Sequence, residues 1–251
     1  MSIAAVTDKS QWIRHYAVAS VNAPRLVCLP HAGGSASYYL PTAKALAPHV
    51  EVLAIQYPGR QDRLLEDCVD NIHDLAALIA QFVQPLAAEK PLALFGHSMG
   101  AGVGFEVARL LQQAGTPAAH LFVSGRQAPH RHEVTYAHLL DDLQFVAEIR
   151  QLNGSDDDVL DDPDLRSLVL PAIRSDYKAA ETYEYRPGPR LTSPITALTG
   201  DSDSGMTLDA VRAWSDHTSG AFNFKVFAGG HFFLNDHQGA IQRGIRAALG
   251  V

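Results

Sequence analysis

The chain has 251 residues, 47% of them hydrophobic and 19% charged, which is enough apolar material for one large core and does not require two. Its formal net charge is -7, and no basic stripe interleaved with aromatics is present, which argues against a nucleic-acid partner. No apolar run approaches the roughly 18 residues of a membrane span, the N-terminal stretch lacks a signal-peptide pattern, and two cysteines, Cys28 and Cys68, are too few for a disulfide framework. A cytoplasmic globular protein is expected, with no membrane contact.

In chain order, short β-rich runs alternate with longer helical patterns. Strands are predicted at 25–29, 50–57, 92–95, 120–124, 195–199 and 222–227, several of them apolar on both sides, as for strands buried between helical layers. Ile72, Leu75, Ile79, Phe82, Val83 and Leu86 recur at helical spacing over 71–86, with Asn71 as the N-cap. A second helix is predicted over 99–114, stopped by Gly115 with Pro117 beyond, and Ile241, Ile245 and Leu249 mark a last one. This alternation predicts an α/β fold, a mostly parallel central sheet flanked by helices.

About 70 residues separate the run ending near Ser124 from that starting near Ile195, far more than a crossover helix uses. Leu139, Leu140, Leu143, Phe145 and Val146, then Leu165, Leu168, Val169 and Leu170, fall at helical spacing there. An acidic stretch, Asp156-Asp157-Asp158 and Asp161-Asp162, lies between the two groups and reads as solvated loop and helix-cap residues. The expectation is a single domain over 1–251, with a helical lid inserted at about 130–190.

Gly96-His97-Ser98-Met99-Gly100 fits G-x-S-x-G directly after an apolar strand and before a helix. A strand bending sharply into a helix lifts the middle residue above the sheet edge, and only glycine-sized neighbours avoid a clash. Ser98 is therefore the candidate nucleophile of an α/β-hydrolase. Serine needs a base, and in the chain order Ser, acid, His the base follows the last strand. Among 12 histidines this selects His231 in Ala228-Gly229-Gly230-His231-Phe232-Phe233, ahead of His237 and of His97. The acid should follow the preceding strand, where Asp201 and Asp203 are nearly equal candidates and Asp176 is a distant third. Pro30-His31-Ala32-Gly33-Gly34-Ser35 is like the glycine-rich oxyanion loops of esterases, so the backbone N–H groups of Ala32 and Met99 are the expected oxyanion donors. His130-Arg131-His132 lacks further ligands, and neither a metal nor a cofactor is expected.

Together, PHAGGSA at 30–36, QYPGRQDR at 56–63, FGHSMGA at 95–101, GDSD at 200–203 and GGHFFL at 229–234 resemble the type II thioesterases of polyketide and nonribosomal-peptide assembly lines. The resemblance spans nearly the whole chain and is weakest in the insertion. It implies an α/β-hydrolase fold and an editing activity that cleaves aberrant or stalled acyl thioesters from the phosphopantetheine arm of carrier proteins, its transient partners. It implies a triad of Ser98, Asp203 and His231, which favours Asp203 over Asp201, although Ser204-Gly205-Met206 stands where relatives often have a proline. Arg60 or Arg63 could contact the phosphopantetheine phosphate, or could brace their own loop. The rival readings are a carboxylesterase or lipase on small free esters, an acyltransferase, and a non-catalytic ligand-binding protein on the same fold.

Overall fold

The computed structural model describes residues 9–153 and 158–251; Asp156 and Asp157 of the acidic stretch, and the first eight residues, lie outside them. Among the described residues one sheet has seven strands: β1 (Ile13–Arg14), β2 (Arg25–Leu29), β3 (Glu51–Ile55), β4 (Leu92–His97), β5 (His120–Ser124), β6 (Ile195–Gly200) and β7 (Phe222–Phe227). The helices are α1 (Lys9–Trp12), α2 (Leu40–Leu46), α3 (Ile72–Glu89), α4 (Met99–Gln113), α5 (Asp142–Asn153), α6 (Asp158–Asp161), α7 (Pro163–Glu181), α8 (Leu208–Arg212) and α9 (Gln238–Leu249). The six predicted strands are all present. The unpredicted β1 has two residues, too few to carry a periodicity.

The sheet order is β1-β3-β2-β4-β5-β6-β7, parallel except for β1, which runs antiparallel to β3. Alternation along the strands sorts the core into two layers. Val27 and Leu29 pack with α3 and α4, while Leu26 and Cys28 pack with Ala43 and Leu46 of α2 and Ile241 and Ile245 of α9. β4 is buried at all six positions, whereas β7 alternates as an exposed edge. Asn71 caps α3 as predicted, accepting from the N–H groups of His73 and Asp74, and Gly115 follows the end of α4 at φ +78°.

The order places the site. The chain runs from β2 outward to β3, then returns across β2 to lay down β4 and the remaining strands. The crevice beyond the carboxyl ends of β2 and β4 is therefore a topological switch point, where open α/β sheets bind their ligands. The turns after β2, β4, β6 and β7 all open on that edge.

Helices α5, α6 and α7 fill the long interval between β5 and β6 and hold a small core of their own: Phe145, Val146, Ile149, Leu160 and Leu170. Asp162 caps α7, and Asp161 pairs with Arg150. Leu139, Leu143, Leu165 and Leu168, which carry part of that helical spacing, are exposed. Helical spacing marks a face without saying which side it presents.

Candidate active site

The bend between β4 and α4 is built by close backbone contact. A Cβ on Gly96 would lie 2.0 Å from the Gly100 carbonyl oxygen, and one on Gly100 would lie 2.1 Å from that of Leu29. Side chains are excluded at both positions, so the bend folds on itself and against the end of β2. Ser98 between them adopts φ +53°, ψ -118°, a left-handed φ that an L-residue rarely holds, and its N–H donates to Ser124 O at 2.8 Å. Its side chain stands at the N-terminus of α4, where the first N–H groups lack helical partners.

His231 follows β7. Its Nδ1 lies 2.8 Å from Asp203 Oδ2, and the other oxygen of that carboxylate accepts from the Gly205 N–H at 3.1 Å. The Asp203 side chain is 1% exposed. Asp201 has a different environment. It is exposed, and the Gly229 N–H at 3.0 Å and the Ser202 hydroxyl at 2.8 Å bond to its carboxyl and hold it below the usual carboxylate range. Asp201 therefore shapes the turn that presents His231, while Asp203 meets the imidazole. His237 bonds the Ala228 carbonyl oxygen and lies away from this cluster.

The loop after β2 is held from several directions. Gly33, at φ +76°, donates its N–H to Asp176 Oδ2 at 2.8 Å, and the Gly34 N–H goes to His31 O at 2.9 Å. Arg60 forms a bidentate pair with Asp176, at 2.6 and 2.9 Å, and reaches Gly34 O at 3.1 Å. Gln56 Oε1 accepts from the Ala36 N–H at 2.9 Å, and the Tyr57 hydroxyl donates to Pro30 O at 3.2 Å. The Gln-Tyr-Pro-Gly-Arg block is therefore the brace of the Pro-His-Ala-Gly-Gly loop. Asp176, the weakest acid candidate in the sequence, is the part of it carried by α7. Both arginines are turned inward, because Arg63 bonds Gln56 O and Glu66 and lies over Trp12. Neither is left to contact a phosphate.

A cavity of about 630 Å³ opens beside these elements, with Ala32, Ser98 and His231 in its wall and Tyr136, Tyr177 and Met206 contributing from around the insertion. Glu181, at the end of α7, ties down the segment at its rim. It accepts from the Thr135 hydroxyl, the N–H groups of Ala137 and His138, and His138 Nδ1, all at 2.5–3.0 Å. His130 and His132 bond His217 and the Glu181 carbonyl oxygen respectively, so they do not converge on one point. No group of histidine, cysteine and acidic side chains able to hold a metal ion occurs among the described residues, nor does a helix long and apolar enough to cross a membrane.

Two further imidazoles flank His231. The His97 ring centre lies 5.0 Å from that of His231 and 5.9 Å from that of His31, and His97 Nδ1 pairs with the Ser124 hydroxyl. Burial lowers His31 to about 4 and His97 well below the ordinary value, and repulsion from His231 adds to both. Burial likewise lowers His120 and His217 to about 4. As pH falls from 6.5 towards 4, the unfolded chain takes up protons that the folded chain refuses. Stability is therefore present above the unfolded value and is lost on acidification, by at most about 1.4 kcal/mol per pH unit for each histidine. Thermal unfolding should show a Tm at pH 5 lower than at pH 7 by about 10 °C or more. An unchanged Tm would mean that these imidazoles ionise freely within the fold.

Residues 24–249 match the family described as Thioesterase domain. The chain is 51% identical over 230 residues to thioesterase PikA5 of Streptomyces venezuelae, covering 91% of this chain and 82% of that protein. It is 37% identical over 234 residues to gramicidin S biosynthesis protein GrsT of Aneurinibacillus migulanus, covering 91% and 90%. Among solved structures, the type II thioesterase BorB from the borrelidin biosynthetic cluster superposes with a TM-score of 0.88 at 48% identity, over 98% of this chain and 99% of that one. The RedJ thioesterase from the prodiginine pathway in Streptomyces coelicolor does so at 0.86 and 34%, over 94% of each. The switch-point sheet with its Gly-His-Ser-Met-Gly bend and these likenesses over nearly the full chain lead to one assignment. The chain belongs to the thioesterase family, on the α/β-hydrolase fold, among the type II thioesterases of polyketide and nonribosomal-peptide biosynthesis, and it is a thioester hydrolase.

Proposed function

We propose that this enzyme edits an assembly line, releasing aberrant or stalled acyl groups from the phosphopantetheine arm of carrier proteins through a Ser98–His231–Asp203 triad. The observation that carries the reading is the short contact between His231 and buried Asp203 in a cavity whose wall also contains Ser98 at its left-handed bend. His231 Nδ1–H donates to Asp203, which leaves Nε2 free to accept a proton. Ser98 Oγ attacks the thioester carbonyl as His231 takes its proton, and the oxyanion is held by the N–H groups of Met99 and Ala32. Within the loop, the N–H groups of Gly33 and Gly34 already have partners, which favours Ala32 as the donor. The departing sulfur takes the proton from His231 as a thiol. Water, deprotonated by the same imidazole, then attacks the acyl-enzyme, and the imidazolium returns that proton to Ser98 Oγ as the acid departs.

The insertion at about 130–190 serves as the lid of this single domain, and the arm threads between it and the sheet edge. Carrier proteins are usually acidic and the enzyme carries -7, so docking is brief and local rather than steered at long range. The reaction belongs in the cytoplasm, where such assembly lines work. Mass spectrometry of acylated carriers, run beside acyl-CoA and p-nitrophenyl esters, tests the reading. The carrier-bound thioesters should be cleaved with the highest kcat/KM, and indifference to the carrier would favour a general esterase. Labelling of Ser98 by a fluorophosphonate separates either enzyme from a non-catalytic binding protein.

A further inference from the structure

Arg126 stands just beyond β5 in the wall of the same cavity. Gly125, at φ +58°, turns the chain there, and the Trp214 indole donates to the Arg126 carbonyl oxygen at 2.8 Å, so the backbone is pinned. The guanidinium lies over α4. A Cβ on Gly102 would stand 3.1 Å from its Nε, so the third glycine of the Gly-His-Ser-Met-Gly-Ala-Gly stretch leaves room for it. Gly102 follows Ser98 by four residues, about one helical turn. The cation thus shares the cavity wall with Ser98 and lies against α4 about one helical turn from it.

The bonding of this guanidinium is incomplete. Of five N–H donors, one is bonded to the Ala180 carbonyl oxygen at 3.2 Å, and the Tyr183 ring lies 5.6 Å away. Among the described residues no carboxylate pairs with it. Glu106 is taken by Arg109 and the Tyr183 hydroxyl, and Glu181 by the four donors at the cavity rim. Burial lowers its pKa to about 10, the mark of a cation held where its charge is poorly solvated. A half-buried arginine without a carboxylate, open to a ligand cavity, is a set of donors awaiting an acceptor. Glu133, Glu148 and Glu181 line the same cavity, which makes it unwelcoming to an anionic acyl group.

We infer that Arg126 sets acyl specificity by donating to a neutral oxygen, a keto or hydroxyl group, close beyond the thioester carbonyl, so that oxygenated acyl chains are cleaved in preference to plain alkyl chains of equal length. The inference rests on the thioesterase reading above, with Ser98 as nucleophile.

The test compares kcat/KM for 3-oxobutyryl-, 3-hydroxybutyryl- and butyryl-carrier thioesters in the wild type, Arg126→Met and Arg126→Lys. Each enzyme is scored by its ratio of oxygenated to plain substrate, which does not depend on how much of a variant folds. The wild-type ratio should be about tenfold or more, from a hydrogen bond to a charged donor. It should fall towards one in Arg126→Met and recover in part in Arg126→Lys. A ratio unchanged by either substitution overturns the role of Arg126 while leaving the thioesterase reading intact. A wild type that prefers a malonyl thioester overturns the neutral-acceptor form. Failure of the wild type to cleave any of these thioesters overturns both readings.

Discussion

Ser98→Ala is expected to lower kcat/KM on carrier-bound thioesters by about 10⁴- to 10⁶-fold, with the fold and Tm retained. The residue is half-buried and its side chain lines the cavity, so loss of its hydroxyl should register almost wholly in turnover. The companion variants separate the two aspartates. Asp203→Asn should cost about 10³- to 10⁴-fold, because an amide opposite His231 Nδ1 favours the wrong tautomer and no longer balances the imidazolium. Asp201→Asn should cost less than about tenfold, since its oxygen can still accept from the Gly229 N–H. Steady-state kinetics and thermal unfolding on the same preparations check all three. Equal losses at 201 and 203 would reject the assignment of Asp203 as the acid.

Asp176→Asn is expected to lower both stability and rate, which few substitutions outside the reacting groups should do. The carboxylate is 2% exposed and holds the Arg60 fork and the Gly33 N–H together. Removing its charge leaves a buried guanidinium uncompensated, at a cost of about 3–5 kcal/mol. For a chain of this size that lowers Tm by about 6–20 °C. The loop carrying Ala32 loses an anchor at the same time. A misplaced oxyanion donor should therefore reduce kcat by about ten- to a hundredfold, with KM changing less. Breaking the half-exposed pair that Lys178 of α7 makes with Asp70, just before α3, provides the contrast: about 1 kcal/mol or less and no change in kcat. If Asp176→Asn matched that control, the brace would be ornamental.

How much of this was legible beforehand follows from the range of the interactions. The strands and the nucleophile bend are local, and β4 with its glycines announces itself within ten residues. The choice between Asp201 and Asp203 was not local, because both carboxylates face a loop 28 residues further on and differ only in whether they meet its backbone or its imidazole. Arg60 and Asp176 lie 116 residues apart, on a loop and on an inserted helix. No spacing rule links them, and a lone acid among the charged residues of α7 looks like any solvated one. Arg126 follows a glycine at a strand end, where a single sequence says nothing about burial. The unpaired state of that arginine emerges only when the partners of Glu106 and Glu181 are known.

The private core of the insertion has a mechanical corollary. Phe145, Val146, Ile149, Leu160 and Leu170 pack on one another, so α5, α6 and the first half of α7 cohere through contacts of their own, whereas Ala179 near the end of α7 belongs to the main core. Asp176 ties α7 to the loop after β2, while Glu181 ties the end of the same helix to Thr135, Ala137 and His138 of the insertion itself. Because Glu148 and Leu152 of α5 line the cavity, smaller side chains there should widen it while leaving the Asp176 anchor of the loop after β2 in place.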